Sequence, residues 1–269
     1  MTPEQRALLE EQRRILDRIP RSAVAELVEV ALRLIRRLNR GLAQLGGRDH
    51  ETRRTNTIAA KARALIQALG ERYGDEVAAV VARVHGVGAE DGRRIVNMQL
   101  DGLDASGLLP QHAVPANADN AGALLDRSLL ELHEASRRAY GREAIQTMKR
   151  ELAAGAGALS NETIAETQKR IEAAVLITPA RAERIVRTEH SYALHHRQLE
   201  DFKAVMGDEI GEWRKQLVAT LDSRTGADSI FVNGQTRKIN EKFQDNLGND
   251  YDMPPNRPND REVVVYVPA

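Results

Sequence analysis

The chain has 269 residues, of which 42% are hydrophobic, 29% charged and 3% aromatic, with no cysteine and a formal net charge of zero. That length supports one large domain or two modest ones with a real core. The missing cysteines exclude disulfides, thiolate metal sites and a cysteine nucleophile, and scarce aromatics disfavour a nucleic-acid reader that stacks bases on rings.

Charge is unevenly spread. Residues 1–70 hold 14 Lys and Arg against 8 Asp and Glu, a net +6, whereas residues 205–269 hold 8 against 11, a net −3. A basic front half suits phosphates or an acidic partner; it suits the solvated face of Arg-rich helices equally well. The opening MTPEQRALLEEQRR lacks the apolar core of a secretory leader. No apolar run approaches a membrane span. A soluble protein made in the cytoplasm, with no membrane partner, is expected.

In residues 22–46, Val24, Leu27, Val28, Ala31, Leu34, Ile35, Leu38, Leu42 and Leu45 recur at helical spacing. Ser22 is placed to cap this helix and Gly46 and Gly47 to stop it. A second helix follows Asp49, with Ile58, Ala62, Leu65, Ile66 and Leu69 on its apolar face and Gly70 at its end. The pair reads as a hairpin. Its basic side chains, Arg33, Arg36, Arg37, Arg40, Arg53 and Arg54, are candidate contacts to a partner or to DNA.

Shorter helices are expected over 75–105, then a loop or hinge over 102–122 with two prolines. Helices resume near Asn120, with capping-box spacing at Ser128 and Glu131, and run towards Leu152. After a Gly-rich break at 153–161 comes a helix over 161–176. Thr178 and Pro179 then open a helix running to Met206, closed by Gly207.

Beyond Gly207 the texture becomes β-like. A strand is expected within 212–221 and a turn-rich loop over 221–229. A strand, an Asn233-Gly234 turn and a return strand are expected over 230–239. A polar loop over 241–260 leads to a terminal strand over 261–267. The fold class is therefore mainly α with a small C-terminal antiparallel β unit. The division expected is a helical region over 1–118 and an α+β module over 119–269.

Arg187, Thr188 and Glu189 follow Ile185 and Val186 on the last long helix. Either they approach the core, with Asp222 and Arg224 as partners, or they form an ordinary exposed face. His190, His195 and His196 have the wrong spacing for a helical metal pair. No phosphate-binding glycine pattern occurs, and Ser106 and Ser229 lack a nucleophile-elbow context. No catalytic residue, cofactor or small-molecule substrate is expected. A hydrolase or transferase using the three histidines is the enzymatic alternative.

The ordered set of signals after residue 160 resembles the phage Mu F-like head morphogenesis family, the minor head proteins of tailed phages. That family shows R-T-E on a helix, an aromatic on a strand, D-x-R-T followed by Cys or His, a D/N-G turn, and a P-P-x-H-P-N-C-R loop before a final strand. Arg187, Thr188 and Glu189 match the first element, and Trp213 the second. Asp222, Arg224, Thr225, Asn233 and Gly234 match the next. Pro254, Pro255, Pro258, Asn259 and Arg261 match the last. Ser229, Arg257 and Asp260 stand where the family places Cys or His. The resemblance thus implies a metal clip replaced by polar contacts, with no metal. Arg257 or Arg261 would pair with Asp222, Asp228, Asp260 or Glu189. It further implies a non-enzymatic virion protein at the head interior or portal vertex, in the host cytoplasm during assembly. Its partners would be the portal protein, the major capsid protein and packaged double-stranded DNA. A DNA-binding helical module unrelated to capsids is the alternative.

Overall fold

A computed structural model describes residues 3–46, 55–108, 118–155, 164–221, 225–255, 257 and 260–269. The helices are α1 (Pro3–Asp17), α2 (Arg21–Gly46), α3 (Thr55–Ala105), α4 (Ala118–Gly155), α5 (Ile164–Val175) and α6 (Pro179–Met206). A 3₁₀ turn (Gly207–Glu212) leads to β1 (Trp213–Val218), then α7 (Ala227–Val232), β2 (Thr236–Lys238), β3 (Phe243–Gln244), β4 (Asp250–Tyr251) and β5 (Val263–Pro268). The fold is mainly α with a small C-terminal antiparallel β unit. Among the described residues no helix is long and apolar enough to cross a membrane.

Two compact units are built from interleaved stretches: Met1–Pro20, Arg83–Leu130 and Glu183–Ala269 in one, Arg21–Ala82 and Glu131–Ala182 in the other. A cut at residue 118 does not separate them, because the chain passes between units inside α3, α4 and α6.

In the all-helical unit, α2 buries Leu27, Ala31, Leu34, Ile35, Leu38 and Leu42, the stripe its spacing predicts. Its link to α5 includes a hydrogen bond from Gln168 Nε2 to the Asn39 carbonyl, 3.2 Å. The expected stop at Gly70 is corrected: α3 runs unbroken for 51 residues. Gly70 serves packing instead. A Cβ there would stand 2.1 Å from a side-chain carbon of Ile145, so only glycine lets α4 come so close.

In the other unit β1 lies between β2 and β5, all antiparallel, with Lys215 opposite Tyr266 and Arg237. Four successive residues of β5, Val263 to Tyr266, are buried because both faces of the strand are covered. Val264 and Tyr266 join Leu199, Phe202, Trp213, Leu217 and Phe243. Val263 and Val265 join Leu8, Leu9, Ile15 and Leu16 of α1, with Ile95 and Leu194. The outer edge of β5 is closed by side-chain amides. Gln12 and Gln198 donate to the Val264 carbonyl (3.1 and 2.9 Å), and Gln99 donates to that of Tyr266 (2.7 Å).

Two further expectations are corrected. Residues 230–232 are helical, within α7, not a strand before an Asn-Gly hairpin. Ser229 and Val232 face inward at helical spacing while Ile230 and Phe231 are exposed. Asn233 and Gly234 still turn the chain into β2. The Asn233 carbonyl oxygen accepts the Ala219 N–H (2.9 Å), and Gly234, at φ +83°, donates to the Leu217 carbonyl (2.8 Å). The polar stretch 241–260 also contains the β3–β4 ladder. Asp245 closes its turn by accepting the N–H groups of Leu247 and Asn249.

Candidate functional site

The last long helix opens as its sequence predicts: Thr178 Oγ1 accepts the Arg181 N–H at 3.2 Å. Along it the R-T-E triplet divides its work. Arg187 reaches Asp17 of α1 (3.5 Å), and Thr188 Oγ1 donates to the Arg184 carbonyl one turn back (2.8 Å). Glu189 meets His85 of α3, Oε2 to Nε2, at 2.7 Å, and that imidazole is buried. One residue on, His190 pairs with Asp91 at 2.9 Å. Asp222 and Arg224 lie outside the described residues, as do Arg53, Arg54, Pro258 and Asn259.

Trp213 is buried edge-on against Phe202, centroids 5.4 Å apart, and Phe202 stacks on Tyr266 at 3.9 Å. The aromatic thus anchors β1 and β5 to α6. Thr225 donates to the Thr220 carbonyl, and Thr220 in turn donates to that of Arg261 (3.1 Å). Arg261 stands 3.9 Å from Asp17. Pro254 and Pro255 are joined by a cis peptide bond.

Ser229, Arg257 and Asp260 come together from two separated segments. The Arg257 guanidinium donates to both Asp228 and Ser229 of α7. The Asp260 N–H bonds back to the Arg257 carbonyl (3.3 Å), and Asp260 Oδ1 accepts the Glu262 N–H (3.3 Å). A planar guanidinium with two donors aimed at one short helix is a directional clasp between the proline loop and α7. Among the described residues, no group of three or more His, Asp or Glu side chains could hold a metal ion.

Several ionisable groups around this clasp are buried, and of these the sequence singles out only His195. Glu262 is 1% exposed, with the Ser229 hydroxyl and the Asp260 carboxyl beside its own. Burial pushes it up to about 7, and the neighbouring Asp260 adds to the effect. Burial likewise raises the Tyr251 hydroxyl, helped by Glu262 and Asp260. Lys215, on the inward side of β1, donates to the Asp252 carbonyl (2.8 Å) and lies 4.9 Å from the centre of the Phe243 ring; burial lowers it to about 8. His195 is fully buried and lowered to about 4 by that burial, although Nδ1 faces the Ser191 carbonyl at 2.8 Å. An isolated acid before a strand, or one lysine in an alternating strand, carries no mark in sequence that it will be buried. The burial of Lys215 follows only once its neighbours Trp213 and Leu217 are known to face the core.

In the helical unit, Arg33 and Arg37 both bond Glu76 (3.1 and 2.5 Å), which also takes Arg72 (3.1 Å). Partial burial acts to raise the Glu76 carboxyl, but the hydrogen bonds from Arg37, Arg33 and Arg72 hold it below the usual carboxylate range. Arg36 pairs with Glu29, and Arg40 Nε lies 3.5 Å from the Arg36 carbonyl. Of these four arginines, Arg36 and Arg40 are exposed.

No family model, curated protein or solved structure matches this chain.

Proposed function

We propose that this chain is a non-enzymatic minor head protein of a tailed phage, assembled at the portal vertex or head interior and contacting the portal and the major capsid protein. The observation that carries the reading is the clasp of Arg257 on Asp228 and Ser229. Two of the three positions where the resembling family holds Cys or His thus bond directly, and a backbone hydrogen bond ties the third, Asp260, to Arg257. A module that keeps its connection while exchanging ion ligands for a guanidinium retains a docking shape without metal chemistry. The order of R-T-E helix, buried strand aromatic, Asn-Gly turn and proline loop supports the same reading.

Packaged double-stranded DNA is the further partner, through Arg36 and Arg40. The pairing of Arg33 and Arg37 with Glu76 counts against a dedicated DNA-binding module.

The test is co-sedimentation of the full-length protein with assembled portal rings encoded beside it, together with mass spectrometry of purified particles. Binding to the ring and a few copies per particle are expected. Absence from particles, with no affinity for portal or capsid protein, overturns the proposal.

A further inference from the structure

An asparagine followed by glycine carries a latent reaction, because no side chain keeps the glycine nitrogen from the asparagine carboxamide. Asn233 and Gly234 are both exposed, and nothing lies within 4 Å of the Cβ position at Gly234. The fold nevertheless holds the two reacting groups apart. Asn233 leaves α7 with φ −58° and ψ 124°. Closing a five-membered ring requires the Gly234 nitrogen to lie nearly eclipsed with the Asn233 Cβ, and at that ψ it is turned well away. Both groups are also tied to the same short segment, residues 217–219. The Asn233 side-chain oxygen accepts the Ala219 N–H at 2.9 Å, and the Gly234 N–H donates to the Leu217 carbonyl at 2.8 Å. On either side, the Asn233 N–H donates to the Ser229 carbonyl (3.1 Å) and the Gln235 carbonyl accepts the Leu217 N–H (2.9 Å). Turning ψ towards ring closure swings the Gly234 N–H off Leu217, so the reaction waits on local opening.

We propose that Asn233 is a self-modification site gated by this turn: it deamidates when the turn parts from residues 217–219, and the isoaspartate product then keeps the turn from closing. In the opened turn the Gly234 nitrogen gives its proton to water and attacks the Asn233 Cγ. The N–Cγ bond forms, the Cγ–Nδ2 bond breaks, and ammonia leaves with a proton returned by water, giving a succinimide. Water then opens the ring at either carbonyl. Cleavage of the new N–Cγ bond gives ordinary aspartate, and cleavage of the former peptide C–N bond gives isoaspartate. Ordinary aspartate retains an oxygen for the Ala219 N–H. Isoaspartate instead lengthens the main chain between α7 and β2 by one carbon. Gly234 then no longer meets the Leu217 carbonyl while Ser229 and Val232 stay seated in the core.

The inference needs no capsid partner and is tested on the full chain alone. Wild type is incubated folded and, in parallel, unfolded in guanidinium chloride at the same pH and temperature. Peptide mapping by mass spectrometry follows conversion at Asn233, and enzymatic methylation counts isoaspartate. Conversion is expected in the unfolded chain and at least about tenfold more slowly in the folded one. The factor of slowing should match the protection of the Gly234 amide against hydrogen exchange, since both processes need its bond to Leu217 open. In the isoaspartate fraction, separated by chromatography, that protection should be lost, whereas Asn233→Asp should keep it. Equal rates in the folded and unfolded chains, no conversion in either, slowing unrelated to Gly234 protection, or equal protection in the isoaspartate fraction and Asn233→Asp overturns the proposal. None of these results bears on portal binding, so failure here is distinguishable from failure of the assembly reading.

Discussion

Gly88 of α3 lies directly against the backbone of His190 on α6: a Cβ built on Gly88 would stand 2.5 Å from the His190 carbonyl oxygen. Gly92, one turn on, meets the Leu194 carbonyl in the same way, at 2.4 Å. The two helices pack backbone to backbone there, which sets the spacing of the His85–Glu189 and His190–Asp91 pairs. Gly88→Ala is expected to destabilise the protein by about 1–3 kcal/mol, since the obstruction is main chain and cannot swing aside. Gly86, in the same helix, has nothing within 4 Å of its Cβ position. Gly86→Ala should stabilise by up to about 1 kcal/mol through helix propensity. Thermal unfolding of both variants checks the contrast, and equal effects would contradict this packing.

Replacing the clasp should weaken it by chemistry as well as by charge. Arg257→Lys keeps the charge but cannot address Asp228 and Ser229 with a planar fork. Arg257 and Asp228 are 30% and 39% exposed, so solvent screens much of the pair. A loss of about 1 kcal/mol is expected for Lys and somewhat more for Arg257→Gln. Treatment with a chelator should leave the unfolding temperature of the wild type unchanged. A fall on chelation would show that an ion, not the guanidinium, ties the loops.

Lys215 predicts an alkaline effect. Its folded-state pKa is lowered to about 8, so the folded chain binds that proton less tightly than the unfolded one. Its contribution to stability is fully present above the unfolded value, about 10.5, and is lost as pH falls towards 8. The difference between wild type and Lys215→Met should therefore shift in favour of the variant by about 2–3 kcal/mol across that interval, as pH is lowered. Denaturant unfolding at several pH values measures it, and a pH-independent difference would mean that the ammonium is well solvated.

Glu76 predicts an effect of the same sense in the acid range. Held below the usual range by three arginines, it contributes stability that is present above its unfolded pKa of about 4.5 and lost as pH falls through the depressed value. Glu76→Gln should cost about 1–3 kcal/mol at neutral pH and flatten the acid limb of the unfolding profile. The same variant frees Arg33 and Arg37, so any DNA binding by the helical unit should strengthen, with a steeper salt dependence in a filter or anisotropy assay.

Helices such as α2, α5 and α6 were legible because apolar residues at three- and four-residue spacing, or a Thr-Pro start, are local signals. Strands β1 and β5 were legible for their β-branched and aromatic runs. The continuity of α3 was not, since Gly70 resembles a stop until Ile145 is seen against it. Nor was α1: Leu8, Leu9, Gln12, Ile15 and Leu16 do recur at helical spacing, but so many charges lie among them that the apolar stripe is faint. In Ile230 and Phe231, β propensity was overridden by the inward need of Ser229 and Val232. The two-residue strands β3 and β4 are too short for alternation to register. At the site, Asp228 is one of the partners for Arg257 that the resemblance implies, whereas Ser229 as its second acceptor is not among them. The pairing of Glu189 with His85 spans 104 residues and depends on how α3 packs on α6, which no local pattern encodes.

The three glutamines along β5 bear on how such molecules behave when many are held close together. A free strand margin invites a neighbour's strand and, repeated, a fibre. Here that margin is occupied by amides from three different helices, and the opposite margin is a three-residue strand bearing Arg237 and Lys238. Among the described residues, the three-stranded sheet therefore offers a crowded neighbour little backbone to extend at either margin.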